Sequence, residues 1–573
     1  MNSVIYVIYK KLIMKKIKLD KKYINIFKAS EFPFENGANS KSISRWMIMF
    51  SSAIQQYKRI SYNCSNKDKS GNGDCYFALI TPFVKAASIE LLSLPNVYYL
   101  SLDYKCRVQL ENQLAKKLIY ICSPTIDSLY ENLQSEISID EYVEQLYKKP
   151  LVFFKEYSVL ARLLSMHARY WVKSTSKLIK RLLNDFSQFD RLLFDSSNSI
   201  EGENIVKAIS EFQLGLSDPH DKGQMVVIIG FKNGEKIVYK PKSVMAEYGF
   251  CKFVDWVNNQ LESQLKLLCV PVLDKGDYGW AKYIQYKSCK NDEEICRFYT
   301  RVGMLSAILY VARGMDYHHD NLIVNGEYPL FIDHEMMFYP IYIDPENKSL
   351  INKAISEVQA GYYESVINTR IFPISEKRIN GDVADISAVG YCSNSETNQH
   401  LPVNNCALHD PVKYKSNITD GFQKVYEILM NNKDLFLTDE SPLSYLKQSD
   451  FRFNVRATSS YLSINNLCIM PEALKTGVGF CNKIHAIRVK IQSIFRNGLP
   501  LDLRLEELKV LSRLDVPRFT VKSFDKCLSS TAGKTFNDVL NFSGNELVEQ
   551  RIKDLSEIDM LKQVQYIEKA LSS

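Results

Sequence analysis

Glycine and proline are scarce in this chain, at 23 and 18 of 573 residues, roughly 7% together against a usual share of about 12%. Long flexible linkers therefore have little room, and two or more closely packed domains or lobes are expected. The 13 cysteines include no C-x-x-C pair. The spacings of Cys64 with Cys75 and of Cys289 with Cys296 differ from zinc and haem-attachment patterns, so reduced thiols in a cytoplasmic protein are expected. No run reaches the roughly 18 uncharged apolar residues of a membrane-spanning helix. In MNSVIYVIYKKLIM the apolar stretch breaks at Lys10 and Lys11 and has no small-residue cleavage site. That argues against both a transmembrane segment and a signal peptide, and Met14 opens an alternative start. Charge of one sign is lacking too. Lys+Arg 72 against Asp+Glu 65 leaves +7, which suits an anionic ligand and is too dispersed to imply nucleic acid. G-x-S-x-G does not occur, which leaves no serine hydrolase elbow. TAGKT at Thr531 to Thr535 lacks the first glycine of a Walker loop, since Leu528 stands there.

The hydropathy pattern divides what is present. Residues 20 to 150 mix short helical patterns with a loop, SNKDKSGNGD, at Ser65 to Asp74. From Ser138 to about Asp195 the apolar residues recur at helical spacing, which predicts amphipathic helices, with His167 packed on a helix face. In QMVVIIGFKNGEKIVYKPKS, β-branched runs flank KNGE, a strong hairpin signal with its turn at Asn233-Gly234. Lys240 ends the second strand and Pro241 stops the ladder. A helix over FCKFVDWVNNQLESQLKLL, a strand over YGWAKYIQY and a helix over EEICRFYTRVGMLSAILYVARG follow. MDYHHDNLIVNGEYPLFIDHEMMF then reads as loop, strand, turn, strand and loop. Pro340 to Gly421 is polar and aperiodic, and the remainder is expected to be mostly helical.

Phosphoryl transfer needs a lysine on nucleotide phosphates, a metal held by hard oxygens, and a group that orients or deprotonates the attacking hydroxyl. Lys240 leaves the first hairpin, Asp316 and His318 precede the second, and Asn321 and Asp333 bracket its strands. The hairpin folds Asn321 and Asp333 towards each other, so an amide and a carboxylate oxygen can share one Mg²⁺. Asp316 lies five residues before Asn321, the separation that protein kinases use between base and metal-binding asparagine. His319 and His334 are read as incidental, because no histidine pair has the helical spacing of a zinc enzyme.

D-x-H-x-x-N followed by I-D-x-E resembles the catalytic and metal loops of lipid kinases. The ordered set EYSVLARLL, SDPHDKGQMV, KIVYKPKS, DYGWAKYI, MDYHHDNLIVNGEYPLFIDHEMMF, FRFNVRATSSY and LSRLDVPRF, over roughly residues 140 to 570, resembles the dehydratase domain of class II lanthipeptide synthetases, the LanM type. The resemblance implies an α+β fold, a lipid-kinase-like two-lobed catalytic core with additional helical elements. It implies that Lys240 binds phosphate, with Asp218 and His220 in a polar loop beside the nucleotide. Asp316 and His318 would form the catalytic loop, Asn321 and Asp333 the metal ligands, and Glu335 the acidic residue two positions on. Arg452 and Thr458 match the pair associated with phosphate elimination, and Arg456 lies between them.

The expected cofactors are ATP and Mg²⁺, and the expected partner is a ribosomal precursor peptide with leader and core. The implied reaction phosphorylates Ser or Thr and then eliminates phosphate to give dehydroalanine or dehydrobutyrine. A kinase that stops at the phosphorylated product and a non-catalytic biosynthetic scaffold are the alternatives. The expected organisation is an accessory, candidate peptide-binding region over 1–139, a helical segment with an N-lobe over 140–290, and a C-lobe with a long insert over 291–573. The sequence is expected to lack the zinc-dependent cyclase domain of the family's full-length members, so that ring closure would fall to a separate cyclase. Lys282, His334 and Met336 depart from the family's usual residues.

Overall fold

The computed structural model of the chain describes residues 24–35, 45–60, 74–95, 98–133, 137–189, 194, 205–341, 364–377, 383–390, 399–404, 407–491, 500–537 and 539–572. The N-terminal apolar stretch and all but the last residue of the Ser65 to Asp74 loop lie outside them. The architecture is α+β, with many helices and several small antiparallel sheets. It resolves into two units: residues 1–239, 456–493 and 499–517, and residues 240–455, 494–498 and 518–573.

The first unit is built on helices α1 (Arg45–Tyr57), α2 (Asp74–Leu92), α3 (Tyr104–Glu131), α4 (Ile139–Lys148), α5 (Pro150–Glu156) and α6 (Ser158–Asp185). A capping box starts α4: Ser138 accepts the Glu141 N–H, and Glu141 accepts the Ser138 N–H at 2.8 Å. The α6 stripe that includes Leu160, Leu163, Leu164 and Trp171 is buried, as the periodicity predicts. Phe50 and Phe83 meet Phe154 edge-to-face at 5.6 and 5.7 Å, the arrangement that ring quadrupoles favour. Within α2, Cys75–Leu92 is long and apolar enough to cross a membrane by length and composition, but 61% of it is buried inside the protein. Its charges, Lys85 and Glu90, are why the sequence shows no uncharged run there.

Strands β1 (Ile209–Gln213), β2 (Val227–Phe231) and β3 (Lys236–Lys240) form the first hairpin and its neighbour, all antiparallel. Ile229 pairs with Ile237 and both are fully buried, while Gly234 at φ +91° makes the turn. The helices Thr458–Cys468, Gly477–Lys490 and Leu501–Leu511 complete the unit.

The second unit begins at Lys240. Its helix α7 (Met245–Asn258) is ten residues shorter than the sequence pattern, FCKFVDWVNNQLESQLKLL, would carry it at its C-terminal end. The Asn258 amide donates to the Leu267 carbonyl at 3.0 Å and accepts the Leu267 N–H at 2.8 Å, folding the chain back. Hairpin β4 (Val272–Asp274) and β5 (Gly279–Lys282) leads to α8 (Asp292–Val311), which is buried along nearly its whole length. Strands β6 (Leu322–Asn325) and β7 (Tyr328–Phe331) form the second predicted hairpin, with Gly326 at φ +62° in a two-residue loop. Small pairs β8 (Ser375–Lys377) with β9 (Val383–Asp385) and β10 (Val403–Asn404) with β11 (Ala407–Leu408) follow. The polar stretch predicted to reach Gly421 ends earlier, because α9 (Lys415–Asn431) already contains that residue.

Gly421 sits there because α8 and α9 touch backbone to backbone. A Cβ on Gly421 would lie 2.0 Å from the Thr300 carbonyl oxygen, and one on Gly303 would lie 1.9 Å from that of Ile418. The C-terminal part, expected to be mostly helical, also holds a four-stranded sheet. Its strands are β12 (Asp450–Phe453), β13 (Phe519–Lys522), β14 (Leu528–Ser530) and β15 (Thr535–Phe536). None exceeds four residues, too short for a two-residue alternation to stand out. The TAGKT segment is the β14–β15 turn, with Gly533 at φ +80°, rather than a phosphate cradle.

Candidate active site

β3 carries Lys240 to the end of its ladder, and the first turns of α7 supply Glu247. Both are buried, and the Lys240 Nζ lies 2.8 Å from Glu247 Oε1. The same ammonium donates to the Ile332 carbonyl. Ser243 and the Val244 N–H both donate to Asp274 Oδ1, at 2.9 and 2.8 Å, fixing the turn between β3 and α7.

The second hairpin makes neighbours of its flanking residues. Leu322 pairs with Phe331, and the Ile332 N–H donates to the Asn321 carbonyl at 3.0 Å, so Asn321 and Asp333 leave the same end. The Asn321 Nδ2 donates to the Asp316 carbonyl at 2.9 Å and approaches His318 Nε2 at 3.4 Å, which ties the loop before β6 into one piece. His318 Nδ1 accepts the Asp320 N–H at 3.3 Å. Asp316 has φ +69°, a left-handed backbone uncommon for a side-chain-bearing residue and concentrated at functional sites. Its carboxylate lies 3.9 Å from the Arg370 guanidinium.

Around Glu335 the second unit gathers cations. Lys242 Nζ lies 2.8 Å from Asp333 Oδ1 and 2.7 Å from Glu335 Oε2. Arg452, on β12, reaches Glu335 Oε1 at 2.8 Å, and Arg518, just before β13, reaches Oε2 at 3.4 Å. Burial pushes the Glu335 carboxyl up, but Lys242, Arg452 and Arg518 outweigh it and hold the group well below the usual range. Asp333 is likewise depressed against its own burial, chiefly by Lys242. Burial disfavours the charged forms of Lys242 and Arg452, yet the facing carboxylates leave both pKa values raised. Four cations, Lys240, Lys242, Arg452 and Arg518, thus contact three carboxylates, Glu247, Asp333 and Glu335. The excess positive charge suits a dianion.

Glu247, Lys242 and Arg518 were not singled out from sequence. Lys242 stands beside Lys240 in KPK, Glu247 opens the helix after the lysine strand, and Arg518 ends LSRLDVPR, so a signal existed for each. His334 is buried, stacked 3.9 Å from Phe250, and shares a 3.0 Å hydrogen bond with the Tyr317 hydroxyl. Burial lowers its pKa to about 3, so it is a neutral packing group.

The other candidate residues belong to the first unit. Arg456 Nε lies 2.7 Å from Glu507 Oε1, and its guanidinium also donates to the Ile491 carbonyl. Arg488 meets Glu507 Oε2 at 2.9 Å and the Tyr461 hydroxyl donates to Oε1 at 3.0 Å. Glu507 is completely buried. Thr458 opens the helix Thr458–Cys468. Asp218 lines a cavity of the first unit, and His220 exchanges backbone hydrogen bonds with Gln224 at 2.9 and 2.8 Å.

Among the described residues no three His, Cys, Asp or Glu side chains group as a metal centre. Asn321 and Asp333 nevertheless fit Mg²⁺. The Asn321 amide is held through its nitrogen and Asp333 is engaged through Oδ1, leaving one hard oxygen on each without a protein partner among the described residues. Magnesium is commonly bound by one or two such groups together with substrate phosphates and water.

A family model described as "Domain of unknown function (DUF4135)" matches residues 157–407 and 393–522, well over half of the chain. The chain belongs to this family. Every candidate residue above lies inside the DUF4135 match. The chain is also similar to the "Lacticin 481/lactococcin biosynthesis protein LcnDR2" of Lactococcus lactis subsp. lactis, 24% identical over 429 residues. That alignment covers 69% of this chain and 44% of the relative, so the DUF4135 chain spans less than half of that protein's length.

Proposed function

We propose that the protein is a lanthipeptide dehydratase, which phosphorylates Ser or Thr of a precursor peptide from ATP and then eliminates phosphate within one site. The carrying observation is the buried Lys240–Glu247 pair, joined through Ile332 and Asp333 to the cation cluster on Glu335. A strand lysine paired to a helix glutamate is what protein kinases use to hold nucleotide phosphates. The similarity to a lacticin biosynthesis protein supports the peptide substrate, and the small sheets among many helices are compatible with a lipid-kinase-like core.

In this reading Lys240 takes the nucleotide phosphates, and Asp316 accepts the proton of the attacking hydroxyl while His318 holds the loop. Mg²⁺ held by Asn321 and Asp333 would neutralise charge on the transferring phosphoryl group. A hydroxyl leaves poorly and a phosphate leaves well. Once the Cα proton is removed, the Cα–H electron pair forms the double bond as the Cβ–O bond breaks, and Arg452 receives the departing phosphate by bidentate hydrogen bonds. Glu335 holds Arg452 ready, and Lys242 and Arg518 supply further positive charge. By the family resemblance alone, Thr458 and Arg456 are assigned to elimination, and Asp218 and His220 to the loop beside the nucleotide.

Mass spectrometry of a Ser/Thr/Cys-rich precursor peptide incubated with Mg-ATP tests this. A loss of about 18 Da per site is expected, and a lasting gain of about 80 Da would mark a kinase only. An unchanged peptide under conditions where the protein binds Mg-ATP would refute both chemical steps.

A further inference from the structure

A second concave site lies wholly in the first unit, in a cavity of about 450 Å³, within the range of small-ligand pockets. α3 contributes Leu110 and Leu114 to its wall, and α6 contributes Trp171 and Leu178. Several of its polar groups are already committed. The Trp171 indole donates to the Leu110 carbonyl at 2.9 Å, and His167 Nε2 shares a 2.9 Å bond with the Arg513 carbonyl.

Two others are not. Asn465 is 3% exposed, lines the cavity, and its amide has no hydrogen-bond partner among the described residues. The amide opens onto the cavity, so an occupant with a matching donor and acceptor gains hydrogen bonds there. Lys117 also lines the cavity. Its ammonium rests 4.6 Å from the centre of the Tyr120 ring and makes no ion pair among the described residues.

The charge of the lining narrows the ligand. Asp218 and Asp515 share the wall with Lys117, so one cation faces two carboxylates, which disfavours a free carboxylate such as a fatty acid. An uncharged ligand that carries paired donors and acceptors fits the mostly apolar wall and the Asn465 amide. A peptide unit beside an apolar side chain is such a ligand, since an asparagine amide can accept a backbone N–H and donate to a backbone carbonyl.

We infer that this cavity binds an uncharged, apolar peptide segment, one peptide unit pairing with the Asn465 amide and a carbonyl accepting from Lys117. Its natural occupant is a stretch of the precursor peptide other than the residue being modified. That identity rests on the dehydratase reading, whereas the binding site does not.

Calorimetric titration of the full chain without nucleotide, using acetyl-Leu-Phe-Leu-amide as the probe, tests the site independently of turnover. The wild type is expected to bind the probe. Asn465→Leu and Lys117→Gln should each weaken binding about tenfold or more, and Ser174→Phe, which fills the cavity from α6, should abolish it. Thermal unfolding identifies any variant that has failed to fold. Probe binding unaffected by Lys117→Gln and Ser174→Phe, no binding at about millimolar concentration, or preferential binding of sodium decanoate would each overturn the inference. Failure of dehydration with probe binding intact would instead count against the proposed function alone.

Discussion

Glu335 holds Arg452 at two levels: its carbonyl accepts the Arg452 N–H at 2.7 Å and its carboxylate accepts the guanidinium at 2.8 Å. The arginine is thereby fixed in direction before any substrate arrives, which is what an electrostatic contribution to elimination requires. Arg452→Ala should leave phosphorylation in place and slow elimination by about 10²-fold or more, so that peptide heavier by about 80 Da accumulates. Arg452→Lys should be intermediate, since an ammonium cannot make the bidentate contact. Dehydration at the wild-type rate in Arg452→Ala would remove Arg452 from the elimination step.

The Lys240–Glu247 pair makes a different demand, because both partners are buried. Glu247→Gln keeps the shape and removes the counter-charge. It should lower stability by about 3 kcal/mol and reduce phosphorylation, read as the rate of peptide mass change. The double variant Lys240→Met with Glu247→Leu should regain the stability, since an apolar pair of similar volume replaces a buried ion pair well. It should stay inactive, because nothing then meets the nucleotide phosphates. Activity in the double variant would show that the pair serves the fold alone.

Glu507 faces Arg456 and Arg488 with no exposure to solvent. Glu507→Gln leaves two buried guanidinium groups without their carboxylate, and a loss of about 3–5 kcal/mol in denaturant unfolding is expected. Arg456→Met with Glu507→Gln, which removes one of the two stranded cations, should recover part of it. If Arg456 has a part in elimination, Arg456→Met should also change the ratio of phosphorylated to dehydrated peptide in the fraction that remains folded. An unchanged ratio would confine Arg456 to this buried network.

Local chemistry was legible in the sequence where one short segment builds it. Asn233-Gly234 and Asn325-Gly326 announced both hairpins, and the second explains why Asn321 and Asp333 are neighbours. What joins distant segments was not legible. Glu335 and Arg452 are 117 residues apart, and Arg518 meets Glu335 across a still longer interval, so no periodicity or spacing could pair them. The end of α7 was misplaced because Asn258, a turn former that can close on the chain ahead of it, outweighed an apolar pattern running to Leu268. Strands β13 to β15 were hidden by their length of two to four residues.

Asp515 gives the first unit a pH dependence with a definite sign. Burial, aided by Asp221, raises its pKa to about 6, against the lowering effect of the Lys222 and Val516 N–H groups and of Lys117. In the unfolded chain the group titrates near the ordinary aspartate value of about 3.9. The folded state therefore binds the proton more tightly. The stabilisation is complete below the unfolded pKa and is lost as pH rises through about 6. Asp515→Asn has no charge to bury. Its stability relative to the wild type should thus rise between about pH 4 and 7, by up to about 3 kcal/mol. His167, whose pKa burial lowers to about 3, makes the wild type lose stability as pH falls below its unfolded value, but it cancels from the difference because both proteins carry it. Urea unfolding of the two proteins across that range measures the difference. A gap that stays constant with pH would mean that Asp515 titrates alike in both states.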